Sequence, residues 1–297
     1  MKPFDFSTIS PNFDWQYKLY FQYGNNTAYH SGTDDGYLSI KTMFNDLAYY
    51  EIGDGKRFAV DDAHYLILNQ DQPYTITKEG PIPIESFCIF FPHGMAEDVL
   101  ASLMTPDDCL LDNPHANNDK IYFFEQLYPH DDAISPIMDE LRSRFYANTM
   151  TDGWREDQQH HLLQQLLNVH RDVFRQAENM PAVRESTRLE LYRRVHIARD
   201  YMHACFHEAL SLDDIAGVAA LSPHHFLRTF KSVFGCTPHQ YLTQKRLERA
   251  QFLLTKTNLP VTAICMDVGF ESLGSFSTLF RKHVGQSPRQ FRLQSTI

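Results

Sequence analysis

The chain has 297 residues, 43% of them hydrophobic and 22% charged, which is core material for two packed domains of ordinary size. No apolar run approaches the roughly 20 residues that a helix needs to cross a bilayer, so no transmembrane helix is expected. The net charge of −10 argues against a polyanionic partner for the chain as a whole, yet residues 184–297 carry 15 Lys and Arg against 9 Asp and Glu, while residues 1–183 carry 12 against 28.

The opening stretch, MKPFDFSTISPNFDW, lacks the apolar run of a signal peptide. Five cysteines (Cys88, Cys109, Cys205, Cys236 and Cys265) are widely spaced, odd in number and never in a C-x-x-C arrangement. That pattern speaks against a zinc ribbon or a disulfide scaffold and leads us to expect a reducing, cytoplasmic setting.

Residues 37–91 read as short strands: Leu38–Phe44, Ala48–Ile52, Arg57–Val60, His64–Asn69, Pro73–Lys78 and Ser86–Phe91. Turn chemistry such as Gly53-Asp54-Gly55 and Glu79-Gly80-Pro81 separates them. Many short strands within about 60 residues suggest a small barrel or jelly roll. Ile134, Ile137/Met138, Leu141 and Phe145 then mark a helix. Residues 152–178 form a longer one, with Leu162/Leu163, Leu166/Leu167, His170 and Val173/Phe174 at helical spacing. That stripe is either intramolecular core or the seam of a homodimer. Asn179-Met180-Pro181 ends this helix and marks a linker. A further helix is expected over Arg184–Cys205.

Residues 226–241 (FLRTFKSVFGCTPHQY) and 276–291 (FSTLFRKHVGQSPRQF) align at an offset of 50 without a gap. Phe226/Phe276, Phe230/Phe280, Gly235/Gly285, Pro238/Pro288 and Gln240/Gln290 are identical. Each copy has the same plan. In the first, Ser211 and Asp214 form a capping box ahead of a short helix, and Ser222-Pro223 opens a second helix that Gly235 stops. In the second, Pro260-Val261-Thr262 starts the short helix, Gly269-Phe270 makes the turn, Ser272 caps the next helix and Gly285 ends it. Two short helices joined by a tight turn make a helix-turn-helix. A longer helix from Thr237-Pro238 through Leu254 joins the two copies.

The stretch VTAICMDVGFESLGSFSTLFRKHVGQSPRQFR, residues 261–292, carries the pattern G-F-x-S-x-x-x-F-x-x-x-F-[KR]-x-x-x-G-x-[ST]-P-x-x-[FY]-R. From about Leu191 to Arg292 the chain resembles the DNA-binding domain of AraC/XylS-type transcriptional regulators. The resemblance implies seven helices with two helix-turn-helix modules, entering two adjacent major grooves of double-stranded DNA roughly 34 Å apart. It also implies a cupin-like sensor domain ahead of them with a pocket for a small-molecule effector, and RNA polymerase as a partner if the protein is an activator.

With the apolar positions turned inward, the first recognition helix presents His224, His225, Arg228, Thr229 and Ser232, and the second presents Leu273, Gly274, Ser275, Ser277 and Thr278. Arg228 can bond guanine in a bidentate manner, Leu273 can meet a thymine methyl, and Ser275 and Thr278 can bond bases or phosphates. By resemblance, His224 and Arg228 occupy base-contact positions. Lys231, Arg281 and Lys282 suit phosphates. Lys245, Arg246 and Arg249, on the connecting helix, are either a solvated face or phosphate ligands.

The expected fold is therefore α+β. A small β-barrel or jelly roll (cupin-like) over 1–105 is followed by helices over 106–182 and an all-α domain with two helix-turn-helix modules over 183–297. No catalytic residue, metal site or cofactor is expected. The H-x-H cluster of a metal cupin is absent, since His64, His93, His115 and His130 stand apart and His160-His161 face different directions on a helix. The cysteine motifs of DNA-repair alkyl acceptors fused to such modules are missing as well. A metal-dependent cupin enzyme and a non-specific architectural DNA binder remain as alternatives.

Overall fold

The computed structural model of the protein describes residues 17–22, 27–31, 36–53, 55–79, 82, 84–104, 120–180 and 184–295. Of the histidines named above, His115 lies outside them. The chain forms two compact units: Met1–Asn179 with Arg184–Leu189, and Met180–Val183 with Glu190–Ile297. It is α+β, with antiparallel sheets in the first unit and helices alone in the second.

The described strands of the first unit are β1 (Tyr17–Gln22), β2 (Thr27–Ser31), β3 (Leu38–Phe44), β4 (Ala48–Ile52), β5 (Lys56–Val60), β6 (His64–Leu68), β7 (Tyr74–Lys78), β8 (Ile84–Phe91) and β9 (Leu127–Pro129). They make two sheets, ordered β1-β8-β3-β6-β9 and β2-β7-β4-β5, with every pairing antiparallel. Alternation along β3 to β9 sends one face of the strands inward. Met43, Leu66, Leu68, Ile84 and Leu127 from one sheet meet Ala48, Tyr50, Ile52, Phe58 and Val60 from the other in a single core, which makes the unit a sandwich. The six expected strands are present, with ends shifted by a residue or two. β9 has three residues and ends in Pro129, which costs nothing on a sheet edge because no ladder donor is needed there.

Two polar ties sit within this unit. Lys78 and Asp46 are paired at 3.0 Å with both side chains 1% exposed. Arg142 grips Glu85 with two hydrogen bonds, 2.6 and 2.7 Å long, while its guanidinium lies 3.9 Å from the centre of the Phe44 ring.

Three helices complete the unit: α1 (Met95–Met104), α2 (Ser135–Ala147) and α3 (Asp152–Glu178). α1 and α2 both pack on α3, and the Gln159 amide of α3 donates to the Phe90 carbonyl of β8 at 3.1 Å. The leucine stripe of α3 (Leu162, Leu163, Leu166 and Leu167) is buried within the chain, whereas Phe174 is exposed. That stripe is thus spent as intramolecular core. The helix α1 has no counterpart in the sequence reading.

The helices of the second unit are α4 (Glu185–Ala204, its start up to Leu189 belonging to the first unit), α5 (Leu212–Val218), α6 (Pro223–Phe234), α7 (Pro238–Lys256), α8 (Val261–Asp267), α9 (Leu273–Val284) and α10 (Pro288–Ser295). Their ends follow from capping chemistry. Ser211 and Asp214 close a reciprocal box at α5, and Thr237 and Gln240 close another at α7. Ser222 and Ser272 cap α6 and α9, and Gly235 and Gly285 end them in the left-handed region at φ 71° and 86°.

His196, on α4, is enclosed by aromatic neighbours, with the Tyr192 ring at 3.9 Å and that of Phe234 at 5.0 Å. Burial, helped by the nearby Arg199 charge, pushes its pKa down to about 3. The unfolded chain therefore takes up a proton below the ordinary imidazole range that the folded unit refuses. Stability is expected to fall as pH drops below about 6.5 toward 3. Urea midpoints measured across that window should flatten in His196→Phe relative to the native chain. An equal slope in both would show that His196 is not the group responsible.

Candidate nucleic-acid interface

The helix pairs α5–α6 and α8–α9 superimpose in sequence with one break. The short helices are offset by 49 residues and the longer ones by 50, so the second turn holds one more residue. Both turns close in the same way. Ala220 N–H donates to the Gly217 carbonyl (2.9 Å) and Leu221 N–H to that of Ala216 (3.0 Å). In the second module Gly269 donates to Met266 (2.9 Å) and Phe270 to Cys265 (3.0 Å). These are the paired bonds of a Schellman ending, which needs a left-handed residue. Ala220 supplies it at φ 49° and Gly269 at φ 85°.

Each longer helix is held by its aromatic face. The Phe226 and Phe230 rings lie 5.4 Å apart, with Tyr241 of α7 at 5.8 Å from Phe230. Phe276 and Phe280 lie 5.6 Å apart, with Phe291 of α10 at 5.6 Å from Phe280. Burying these rings fixes which side of α6 and α9 faces outward.

On α6 the structure leaves His224, Arg228 and Lys231 exposed and His225 half-buried. Thr229 is a correction to the outward set: it is 1% exposed, and its hydroxyl has no partner among the described residues. At about 100° per residue it stands only some 60° from Phe226, on the flank of the buried face. The repeat carries the signal, because Thr229 aligns with the apolar Leu279. On α9, Leu273, Ser275, Thr278, Arg281 and Lys282 are all exposed, Leu273 by 40%. The Ser275 hydroxyl also accepts a hydrogen bond from that of Ser272 at 3.0 Å.

Charge pairing separates two sets of basic side chains. Three cations of the connecting helix are engaged within the unit. Arg246 donates to the carbonyls of Phe206 and Glu208, both at 2.7 Å, Lys245 pairs with Glu248 at 3.0 Å, and Arg249 lies over the Phe252 ring. Arg246 is half-buried, and that burial lowers its pKa. It is a strut for the loop after α4. Arg292, part of the terminal motif, likewise donates to the Leu259 carbonyl at 2.6 Å. By contrast, the side chains of Arg228, Lys231, Arg281 and Lys282 make no hydrogen bond or ion pair among the described residues. The exposed faces of α6 and α9 thus carry cations with no internal claim on them. Arg228 and the two histidines mark α6, while α9 presents Gly274, Ser275 and Thr278 at the aligned positions.

A family model described as a helix-turn-helix domain matches residues 215–294. The chain is 37% identical over 103 residues to the bifunctional transcriptional activator/DNA repair enzyme AdaA of Bacillus subtilis (strain 168), covering 35% of this chain and 49% of that protein. It is 32% identical over 90 residues to the "Probable transcription factor PqrA" of Proteus vulgaris, covering 30% of this chain and 74% of that one. Among solved structures it is similar to a transcriptional regulator of Chromobacterium violaceum described by its AraC-type DNA-binding domain. That match has 35% identity and a TM-score of 0.33, covering 34% of this chain and 91% of the other. The first curated relatives are spanned over half of their length or less.

Proposed function

This chain belongs to the AraC-type family of helix-turn-helix proteins, and we propose on that footing that it is a sequence-specific, non-catalytic regulator of transcription whose second unit reads double-stranded DNA. The observation that carries this reading is the set of four unpaired cations on the exposed faces of α6 and α9, in a unit where Lys245, Arg246 and Arg249 of the connecting helix are engaged internally. Cations held in reserve at a surface can neutralise phosphates without first breaking an internal pair.

In this reading Arg228 forks to a guanine edge, with His224 and His225 beside it at the start of α6, where base edges are met. Leu273 covers a thymine methyl. Ser275 and Thr278 bond bases or phosphates, and Lys231, Arg281 and Lys282 hold the backbone. Thr229 is left out of the reading set because it is buried. The sandwich of the first unit is the place for a small-molecule effector.

Selection of bound fragments from the source genome by the full chain, at fixed salt, is expected to enrich a motif spanning two successive major grooves. On that motif Arg228→Ala should lose about 1–3 kcal/mol of affinity and relax the preference at one base pair. Lys282→Ala should weaken all sequences alike and lower the salt slope by about one. Unchanged affinity and preference in Arg228→Ala would remove its reading role. Equal affinity for random and selected DNA would favour an architectural protein instead.

A further inference from the structure

Inside the sandwich one ammonium group has no acid beside it among the described residues. Lys41 lies on β3 on the same face as Met43, which belongs to the core between the sheets, so its side chain enters that core. It is 1% exposed. Its Nζ donates to the Tyr74 hydroxyl at 3.2 Å and lies 4.0 Å from the centre of the Phe90 ring and 4.8 Å from that of Tyr74. Among the described residues it has no carboxylate partner. Lys78 is just as buried and is matched by Asp46 at 3.0 Å. Among the described residues, one interior lysine is neutralised and the other meets two rings and one neutral hydroxyl.

A second donor stands close by. Tyr50, on β4, is wholly buried, with its ring centre 5.8 Å from that of Tyr74. Its hydroxyl makes no well-aligned hydrogen bond among the described residues, and its polar neighbours are the Ser86 hydroxyl and the Cys88 thiol. Burial raises its pKa, so it stays a protonated donor. Ser86 and Cys88, whose Oγ and Sγ lie 3.2 Å apart, share this neighbourhood, and Cys88 is directly opposite Lys41 in the β3–β8 register. Phe90 and Tyr74 are the only partly exposed members of the group, so they form its outer layer.

We propose that Lys41 and Tyr50 form an internal binding site for a small organic monocarboxylate, with the apolar part of the ligand lying against Phe90 and Tyr74. An ammonium offers three donors and a phenol one, while a carboxylate offers only acceptors, so the chemistries are complementary. A buried charge is costly until it is paired and hydrogen-bonded, and the cation–π contacts meet only part of that need. A single anionic charge balances the single ammonium, and the aromatic surroundings favour a carboxylate with an apolar tail over inorganic phosphate. The inference deepens the sensing part of the regulator reading by naming the chemistry of its effector, although binding at this site does not depend on DNA being read.

The test is calorimetric titration of the full chain, without DNA, with acetate, octanoate and phenylacetate, and with phenylacetamide and inorganic phosphate as controls. Saturable binding of at least one carboxylate is expected. If phenylacetate binds, the neutral amide should bind at least about tenfold more weakly. Lys41→Met should abolish carboxylate binding, and Tyr50→Phe should weaken it about tenfold, the effect of one hydrogen bond to a charged group. Circular dichroism checks that both variants fold, and Tyr50→Phe carries the test alone if Lys41→Met does not. No binding of any of the three carboxylates, equal binding of phenylacetate and its amide, undiminished binding in Lys41→Met or Tyr50→Phe, or phosphate binding in their place would overturn the proposal. Affinity for selected DNA, measured separately on the ligand-free chain, shows whether the regulator reading stands, so the two failures are distinguishable.

Discussion

Gly269→Ala is expected to destabilise the second unit by about 2–5 kcal/mol, the sum of left-handed strain and an enforced overlap. The residue sits at φ 85°, and a Cβ there would lie 2.6 Å from the carbonyl oxygen and 2.9 Å from the carbonyl carbon of His207. Both neighbours are backbone, so no side chain can swing aside. The aligned position in the first module is Ala220 at φ 49°, which shows that left-handed strain alone is tolerated in this turn. It follows that most of the damage at Gly269 comes from the close approach to His207. Urea unfolding followed by far-ultraviolet circular dichroism, which senses the helices, should show the loss. A change under about 1 kcal/mol would mean that the loop after α4 yields at little cost.

Asp46→Ala is expected to cost the first unit about 3–5 kcal/mol, because it takes the carboxylate from the buried Lys78 ammonium, which keeps the Glu79 carbonyl as an uncharged acceptor. Replacing both members, as Asp46→Leu with Lys78→Met, should recover most of that loss, since an apolar pair needs no desolvation penalty to be repaid. Trp154 gives a local readout. It lies in the first unit, with the Arg144 guanidinium 4.1 Å from its ring. Fluorescence-detected unfolding of the single and double variants distinguishes a stranded charge from a lost packing contact. If the double variant is as damaged as the single one, the pair is not the source of the effect.

The parts of this protein that were legible in the sequence are those fixed by neighbours a few residues away. Ser211 with Asp214, Ser222, Ser272, Gly235 and Gly285 set helix ends locally, so both helix-turn-helix modules could be laid out before any tertiary contact was known. The 27-residue helix α3 declared itself by periodicity. β9 did not, because three residues carry no period and gain their identity only from pairing with β6. The interior lysines were equally silent. Lys78 meets Asp46 across 32 residues and Lys41 meets Tyr74 across 33, distances that only strand register can close. Thr229 shows how a polar residue at the edge of a helix stripe defeats a binary pattern when the repeat partner, Leu279, is not consulted. The basic residues of the second unit could be listed from the sequence, but which of them are already occupied could not. That distinction separates Arg246 from Arg228.

On the proposed reading, the extra residue in the second turn and the unlike faces of α6 and α9 have a consequence for the DNA sequence bound. A reader with one long-armed helix and one short-armed helix, both on a single chain, has no two-fold axis. A stretch of DNA recognised in this way has a head and a tail, and inverting it presents each helix with the wrong half. If the second unit reads DNA as proposed, a single chain would impose polarity, rather than palindromy, on the recognised sequence.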